Sequence, residues 1–234
     1  MAAQAKESSR PALPAELPVF PLTGSLLLPG NWLPLNIFEP RYRNLVEDAA
    51  GRPPEERWIG MIQPRVPQQD NWPALEAPPS NPELYTVGCA GQVERCEAQA
   101  DGRYVILLKG YSRFRVRGEL PRERGYRRVA ADYSEFAADL GEAEVDLDPA
   151  SLLQAVRAFG KAHGLELDFD LLASLPGVAL LNGLAVALPF PPAEKQALLE
   201  AAGPRERQLL LLALMGMGVE PLDAADYYAP PTVH

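Results

Sequence analysis

The sequence predicts an α+β fold: a β-rich part over residues 16–138, a pseudo-barrel of about six strands with one short helix, then an α-helical bundle over 149–218. Three observations predict it. Residues 17–136 divide into short apolar or alternating runs separated by Gly, Pro and Asp-Gly turn signals. Within them, LPLNIFEPRYRNLVEDA (33–49) changes in mid-course from alternation to helical spacing. From Asp148 onward the apolar residues recur three and four apart, with caps and breakers between the runs. The rest is expected to be a disordered tail (1–15), an acidic linker (139–148) and a C-terminal tail (219–234).

Each element has a local reason. LPVFPL (17–22) is apolar and Pro-flanked, which suits an edge strand. LLLPGNWLPLNIF (26–38) is one apolar run broken by the turn Pro29-Gly30-Asn31. A helix begins near Pro40, because proline's fixed φ and missing N–H are tolerated in a first turn. Tyr42, Leu45, Val46 and Ala49 form its stripe, and Gly51 followed by Pro53-Pro54 ends it.

RWIGMIQ (57–63) is the next strand. Pro64, Pro67, Pro73, Pro78, Pro79 and Pro82 then mark an extended loop that cannot supply ladder donors. LYTVGCAGQVERCEAQ (84–99) alternates, with Gly88 and Gly91 signalling a bulge or bend. Asp101-Gly102 turns it into RYVILLKG. In YSRFRVRG (111–118), Arg113, Arg115 and Arg117 face one way, Phe114 and Val116 the other, and YRRVAADYSEF (126–136) closes the series.

In the second half, Asp148 caps a helix with Pro149 at its first position, Leu152, Leu153, Val156 and Phe159 form its stripe, and Gly164 stops it. Helices over 171–175, 177–188, 191–202 and 204–215 follow, the last two separated by Gly203-Pro204.

With 234 residues, 47% hydrophobic and 23% charged, the chain can bury a proper core. Its net charge of −9 repels phosphate backbones on average, so nucleic acid is not the expected partner. The first sixteen residues lack the apolar core of a secretory signal, and LLLLALM (209–215) is too short to span a bilayer. Cys89 and Cys96 give no disulfide framework. A reduced, cytoplasmic setting without membrane contact is expected.

Catalytic signals are missing from the pattern. No GxxxxGK[ST] phosphate loop occurs: before Gly160-Lys161, position 155 is Ala. His163 and His234 form no ligand-spaced group with the cysteines, and Ser25 lacks a Gly-x-Ser-x-Gly elbow. The expectation is no cofactor, no metal and no enzymatic activity.

The succession LPVFPL, LLLPGNWLPLNIFEPRYRNLVEDA, WIGMIQ, LYTVGCAGQVERC and DGRYVILLKGYSRFRV resembles the N-terminal substrate-binding domain of Lon-type ATP-dependent proteases. LLNGLAVALPFPPAEKQALLEAAGPRERQLLLLALM looks like that family's helical part, and cereblon, a ubiquitin-ligase substrate receptor, has a related domain. The resemblance implies a PUA-like β subdomain before the bundle and recognition of unfolded or tagged polypeptides. It makes an ATP-dependent protease or chaperone a further candidate partner. It does not extend to the family's Ser–Lys protease: Lys6, Lys109, Lys161 and Lys195 stand in no matching context. The expected role is a stand-alone, non-catalytic binding module, its oligomeric state open.

The candidate peptide-binding surface comprises Phe38, Glu39, Arg41, Tyr42, Trp72, Arg113 and Arg115. Two roles fit the junction residues Phe38 to Arg43. In one, Glu39, Arg41 and Arg43 tie the helix to neighbouring strands while Phe38 and Tyr42 are core or half-buried; in the other, they rim a peptide groove. Trp72 either caps the barrel or contacts peptide. Between Arg103 and Arg128 stand nine basic and two acidic residues. The row Arg113, Arg115, Arg117 either receives phosphates, as in an RNA-binding PUA-like protein, or neutralises the seven carboxylates of 132–148.

Overall fold

In the computed structural model, which describes residues 11–65, 81–141 and 145–218, the alternating runs become six strands of one mixed sheet. They are β1 (Glu16–Pro21), β2 (Trp32–Ile37), β3 (Trp58–Ile62), β4 (Val87–Ala98), β5 (Tyr104–Glu123) and β6 (Tyr126–Asp132). The order is β2-β5-β4-β3-β1-β6, and β5 also pairs with β6. Five strands therefore close into a ring, with β2 attached at its side. Closure depends on the 20-residue β5: its first part pairs with β2, its second with β6, and β4 spans the junction.

Three expectations need correcting. LPVFPL is not an edge strand: β1 pairs in parallel with β3 through Val19–Pro21 and antiparallel with β6 through Glu16–Val19. Pro18 and Pro21 are tolerated because each is paired on one side only, and the edge strand is β2. RYVILLKG and YSRFRVRG are one strand, not two. Gly110 lets it pass beneath the preceding apolar run, since a Cβ there would lie 2.2 Å from the Leu28 carbonyl oxygen. Finally, β6 ends at Asp132, and the chain turns into a 3₁₀ segment, Ser134–Leu140, that buries Phe136.

Alternation sorts the strand residues into two apolar clusters. One holds Leu17, Val19, Trp58, Ile62, Ala90, Phe114 and Val129. Phe114 lies over Gly60 and Gly88; a Cβ at Gly88 would sit 2.5 Å from its ring and 2.6 Å from the Met61 carbonyl oxygen. Gly88 is thus a slot for an aromatic ring, whereas the expected bulge falls at Gly91. The other cluster contains Ile59, Met61, Val87, Cys89, Ile106 and Leu108, and runs without a break into the helices.

Those helices are α1 (Pro40–Ala50), α2 (Pro149–His163), α3 (Phe169–Ser174), α4 (Gly177–Ala187), α5 (Pro192–Glu200) and α6 (Pro204–Met217). The stripe Tyr42, Leu45, Val46 and Ala49 is the buried face of α1. Asp148 accepts the Ser151 N–H at 3.1 Å at the start of α2, and Gly164 ends it in the left-handed region at φ 63°. Leu152, Val156, Phe159, Leu180, Leu184, Leu198 and Leu211 extend the core.

Polar side chains lock the sheet to the bundle. Gln63 donates to the Pro192 carbonyl at 3.0 Å, Gln196 to the Val87 carbonyl at 3.1 Å, and Asn182 to the Pro29 carbonyl at 3.2 Å. At the centre is Arg113, 2% exposed. Its guanidinium donates to Asp139 from Nε (2.9 Å) and Nη2 (2.8 Å), and to the carbonyls of Leu199, Ala201 and Ala202 at the end of α5. Every guanidinium N–H is satisfied, and the positive charge meets the negative end of the helix dipole. Asp139 therefore belongs to the packed structure, not to an acidic linker, and its carboxylate is buried with Arg113.

Arg113→Met removes the guanidinium from the buried Asp139 carboxylate, which keeps only the main-chain N–H of residue 113, and from three helix-end carbonyls. It is expected to lower stability by about 3–5 kcal/mol in urea unfolding. Gly88→Ala is expected to cost about 1–3 kcal/mol by overpacking against Phe114. Gly118→Ala, where a Cβ meets nothing within 4 Å, serves as the control and should leave the thermal midpoint nearly unchanged.

Candidate polypeptide-docking surface

The edge strand β2 is apolar on both faces. Leu35 and Ile37 are buried and Leu33 packs against them, while Trp32, Pro34 and Asn36 alternate to the outside; Phe38 continues that outer row. The register with β5 sets Trp32 opposite Lys109, Pro34 opposite Leu107 and Asn36 opposite Val105. The outer face thus gathers Trp32 (48% exposed), Phe38 (61%) and Val105 (37%) with the exposed Pro34 and half-buried Leu107. A cluster of large exposed apolar side chains marks a contact surface. The Lys109 ammonium lies 5.5 Å from the Trp32 ring centroid and 5.2 Å from that of Tyr111. Pro34 has no N–H to offer a neighbouring strand, so β2 is ill suited to ladder extension, and its exposed side chains rather than its backbone are the candidate contact feature.

Of the residues expected at the site, Phe38 lies on this face and is exposed rather than half-buried. Glu39 and Arg41 pair with each other at 2.8 Å beside it, each side chain 41% exposed. Glu39 occupies the N-cap position of α1 without a side-chain capping bond. Tyr42 does not join the surface: it is buried against Phe20, ring centroids 4.1 Å apart, and burial raises its hydroxyl pKa. Trp72 lies outside the described residues.

The tie between helix and strands is made further along α1 than expected. Arg124 and Gly125 form the β5–β6 turn at φ 44° and 93°. Arg124 pairs with Glu47 at 2.9 Å and Asp48 at 2.5 Å, and its carbonyl accepts from Asn44 at 2.8 Å. Tyr126 donates to Asp48 at 2.9 Å.

The arginine row is not a free cationic stripe. Arg113 is buried as described and leaves the candidate surface. Arg115 meets Glu135 through two bonds, at 2.6 and 2.8 Å, and Arg117 meets Asp132 at 2.8 Å. Side-chain exposure rises along the row from 3% to 34% to 61% as β5 leaves the core, and each arginine has one carboxylate of the 132–139 segment. The row is matched by Asp132, Glu135 and Asp139, three of the seven carboxylates of 132–148. Trp32, Val105, Leu107 and Lys109 were not singled out from sequence. The available signal was a strand whose inner and outer positions are both apolar.

Among the described residues, no group of three or more His, Cys, Asp or Glu could hold a metal ion. Cys89 is buried, which drives its thiol pKa up and keeps it unreactive. No described helix is long and apolar enough to cross a membrane.

A family model of the ATP-dependent protease La (LON) substrate-binding domain matches residues 16–216. The chain belongs to this family. "Lon protease 2" of Sorangium cellulosum (strain So ce56) is 32% identical over 216 residues, covering 88% of this chain and 25% of the relative. "Lon protease" of Anaeromyxobacter dehalogenans (strain 2CP-C) is 26% identical over 215 residues, covering 87% and 23%. The chain thus spans about a quarter of the length of these relatives. The crystal structure of a Lon N-terminal domain protein from Xanthomonas campestris superposes with a TM-score of 0.56 at 26% identity, covering 85% of this chain and 97% of that one. The N-terminal domain of Mycobacterium avium complex Lon protease gives 0.60 at 17% identity, covering 86% and 98%, a likeness of fold. The α+β class and the Lon-type resemblance are both borne out.

The arginine pairs carry a pH signature. Asp132 is held down at about 2, first by the Ser134 N–H and then by Arg117, and Arg115 lowers Glu135. Because these folded-state values lie below the unfolded ones, the unfolded chain binds more protons. The contacts are fully stabilising above the unfolded values, about 4, and weaken as pH falls through the folded ones. From about pH 5 to about pH 3, the urea midpoint of Asp132→Asn/Glu135→Gln should fall less than that of wild type.

Proposed function

We propose that this chain is a non-catalytic polypeptide-binding module of the Lon substrate-recognition type, working in the cytoplasm on unfolded or tagged proteins. The observation that carries the reading is the outer face of β2 and β5, where Trp32, Pro34, Phe38 and Val105 stand exposed beside the half-buried Leu107 on a domain of the substrate-binding family. Flat aromatic and aliphatic side chains on a rigid sheet bind apolar segments at little entropic cost. Glu39 and Arg41 edge this surface, and an ATP-dependent protease or chaperone is the natural recipient of a captured client. In this reading residues 16–138 present the face, 149–218 brace it, and the two ends of the chain (1–15 and 219–234) are accessory.

Phosphate recognition by Arg113, Arg115 and Arg117 is disfavoured because each is already matched by a carboxylate. The test is capture of a reduced, alkylated unfolded protein by the full chain. Trp32→Ser/Phe38→Ser is expected to weaken binding about tenfold or more, as loss of an aromatic hot spot does. Arg115→Ala/Arg117→Ala should leave it unchanged. Retained affinity in the first variant would overturn this placement, and absence of capture by wild type would overturn the binding function.

A further inference from the structure

We propose that the docking face selects apolar segments that also carry an acidic side chain, with Lys109 as the counter-charge; this rests on the polypeptide-binding reading above. Along β5, Arg113, Arg115 and Arg117 each meet a carboxylate, whereas Lys109 makes no ion pair among the described residues. Its ammonium is flanked by the rings of Trp32 and Tyr111 instead, and the Tyr111 hydroxyl turns towards Glu94 at 3.5 Å. Cation–π contact orients the ammonium without pairing its charge with a carboxylate. It stands at the Trp32 end of the apolar row.

The partner chemistry follows from three features. From Trp32 to Phe38 the row measures about 20 Å at strand rise, the length of an extended segment of about six residues. Trp32, Pro34 and Phe38 favour aromatic or aliphatic side chains along it. The chain as a whole carries −9 and repels acidic clients, so a cation at one end of the apolar row is a local selector for a carboxylate. An Asp or Glu side chain is the chosen source, because an unfolded client offers many internal side chains and only one terminal carboxylate.

The test uses fluorescence anisotropy with the full chain at low salt. The probes are labelled twelve-residue peptides, acetylated and amidated, bearing Leu and Phe with one central Glu, or Gln in its place. The Glu peptide is expected to bind wild type about three- to fivefold more tightly than the Gln peptide, the size of a partly exposed ion pair. That preference should vanish in Lys109→Met, persist in Lys109→Arg and shrink with added salt. Equal binding of the two peptides to wild type, with Trp32→Ser weakening both, would overturn carboxylate selection and leave the docking reading standing. A preference surviving in Lys109→Met would overturn the assignment to Lys109. A third probe, the Gln peptide left with a free C-terminus, separates the two sources of carboxylate: a gain confined to it would overturn the side-chain form in favour of a terminal one. Failure of both peptides to bind would remove the docking reading and this inference together.

Discussion

The buried guanidinium of Arg113 holds the sheet, the 3₁₀ segment and the bundle in one arrangement. It rises from β5 and spends all its donors on Asp139 and on the carbonyls that end α5. A charge removed from water costs several kcal/mol unless every bond is made, so only one relative placement of these three elements satisfies it. Phe136, whose ring lies 4.6 Å from the Arg113 guanidinium carbon, shields the pair from solvent. Arg207 reinforces the same region, donating to the Leu198 carbonyl and to Asn182. Burial and then the nearby Arg113 lower its pKa to about 10, so it stays charged at neutral pH.

This constraint explains why a face on β2 can remain exposed. The inner residues of β2 and β5 are committed to a core continuous with the helices, so the outer row is displayed on a backbone anchored by that core. Pre-organisation of that kind reduces the entropy lost on binding. Membership of the Lon substrate-binding family fits this design: a rigid domain presenting apolar side chains, with Pro34 blunting the edge that could otherwise recruit strands indiscriminately.

Local chemistry was legible in the sequence wherever a single element decides its own fate. The α1 stripe, the Asp148 cap, the Gly164 stop and the Asp101-Gly102 turn all lie where residue type and spacing put them. What escaped was decided by partners distant in sequence. Nothing within LPVFPL reveals that both its sides are paired, and nothing within the acidic run distinguishes Asp139 from its exposed neighbours until Arg113 reaches it. Alternation placed Arg113, Arg115 and Arg117 on one side of β5 but could not show that the strand passes from interior to surface along that row. The docking face was hidden for the opposite reason: Trp32 and Phe38 are as apolar as Leu35 and Ile37, so composition alone cannot say which set faces water.

In the proposed function, polypeptide is gripped by the outer row of β2 and β5. Other large apolar side chains are also exposed, among them Leu209 (64%) and Met217 (66%) on α6, so exposure alone does not choose between surfaces. Hydroxyl-radical footprinting of the full chain, with and without a saturating unfolded protein, decides it directly. Oxidation of Trp32 and Phe38 is expected to slow on binding while that of Leu209 and Met217 is unchanged. Protection of Leu209 and Met217 with Trp32 and Phe38 unaffected would contradict it.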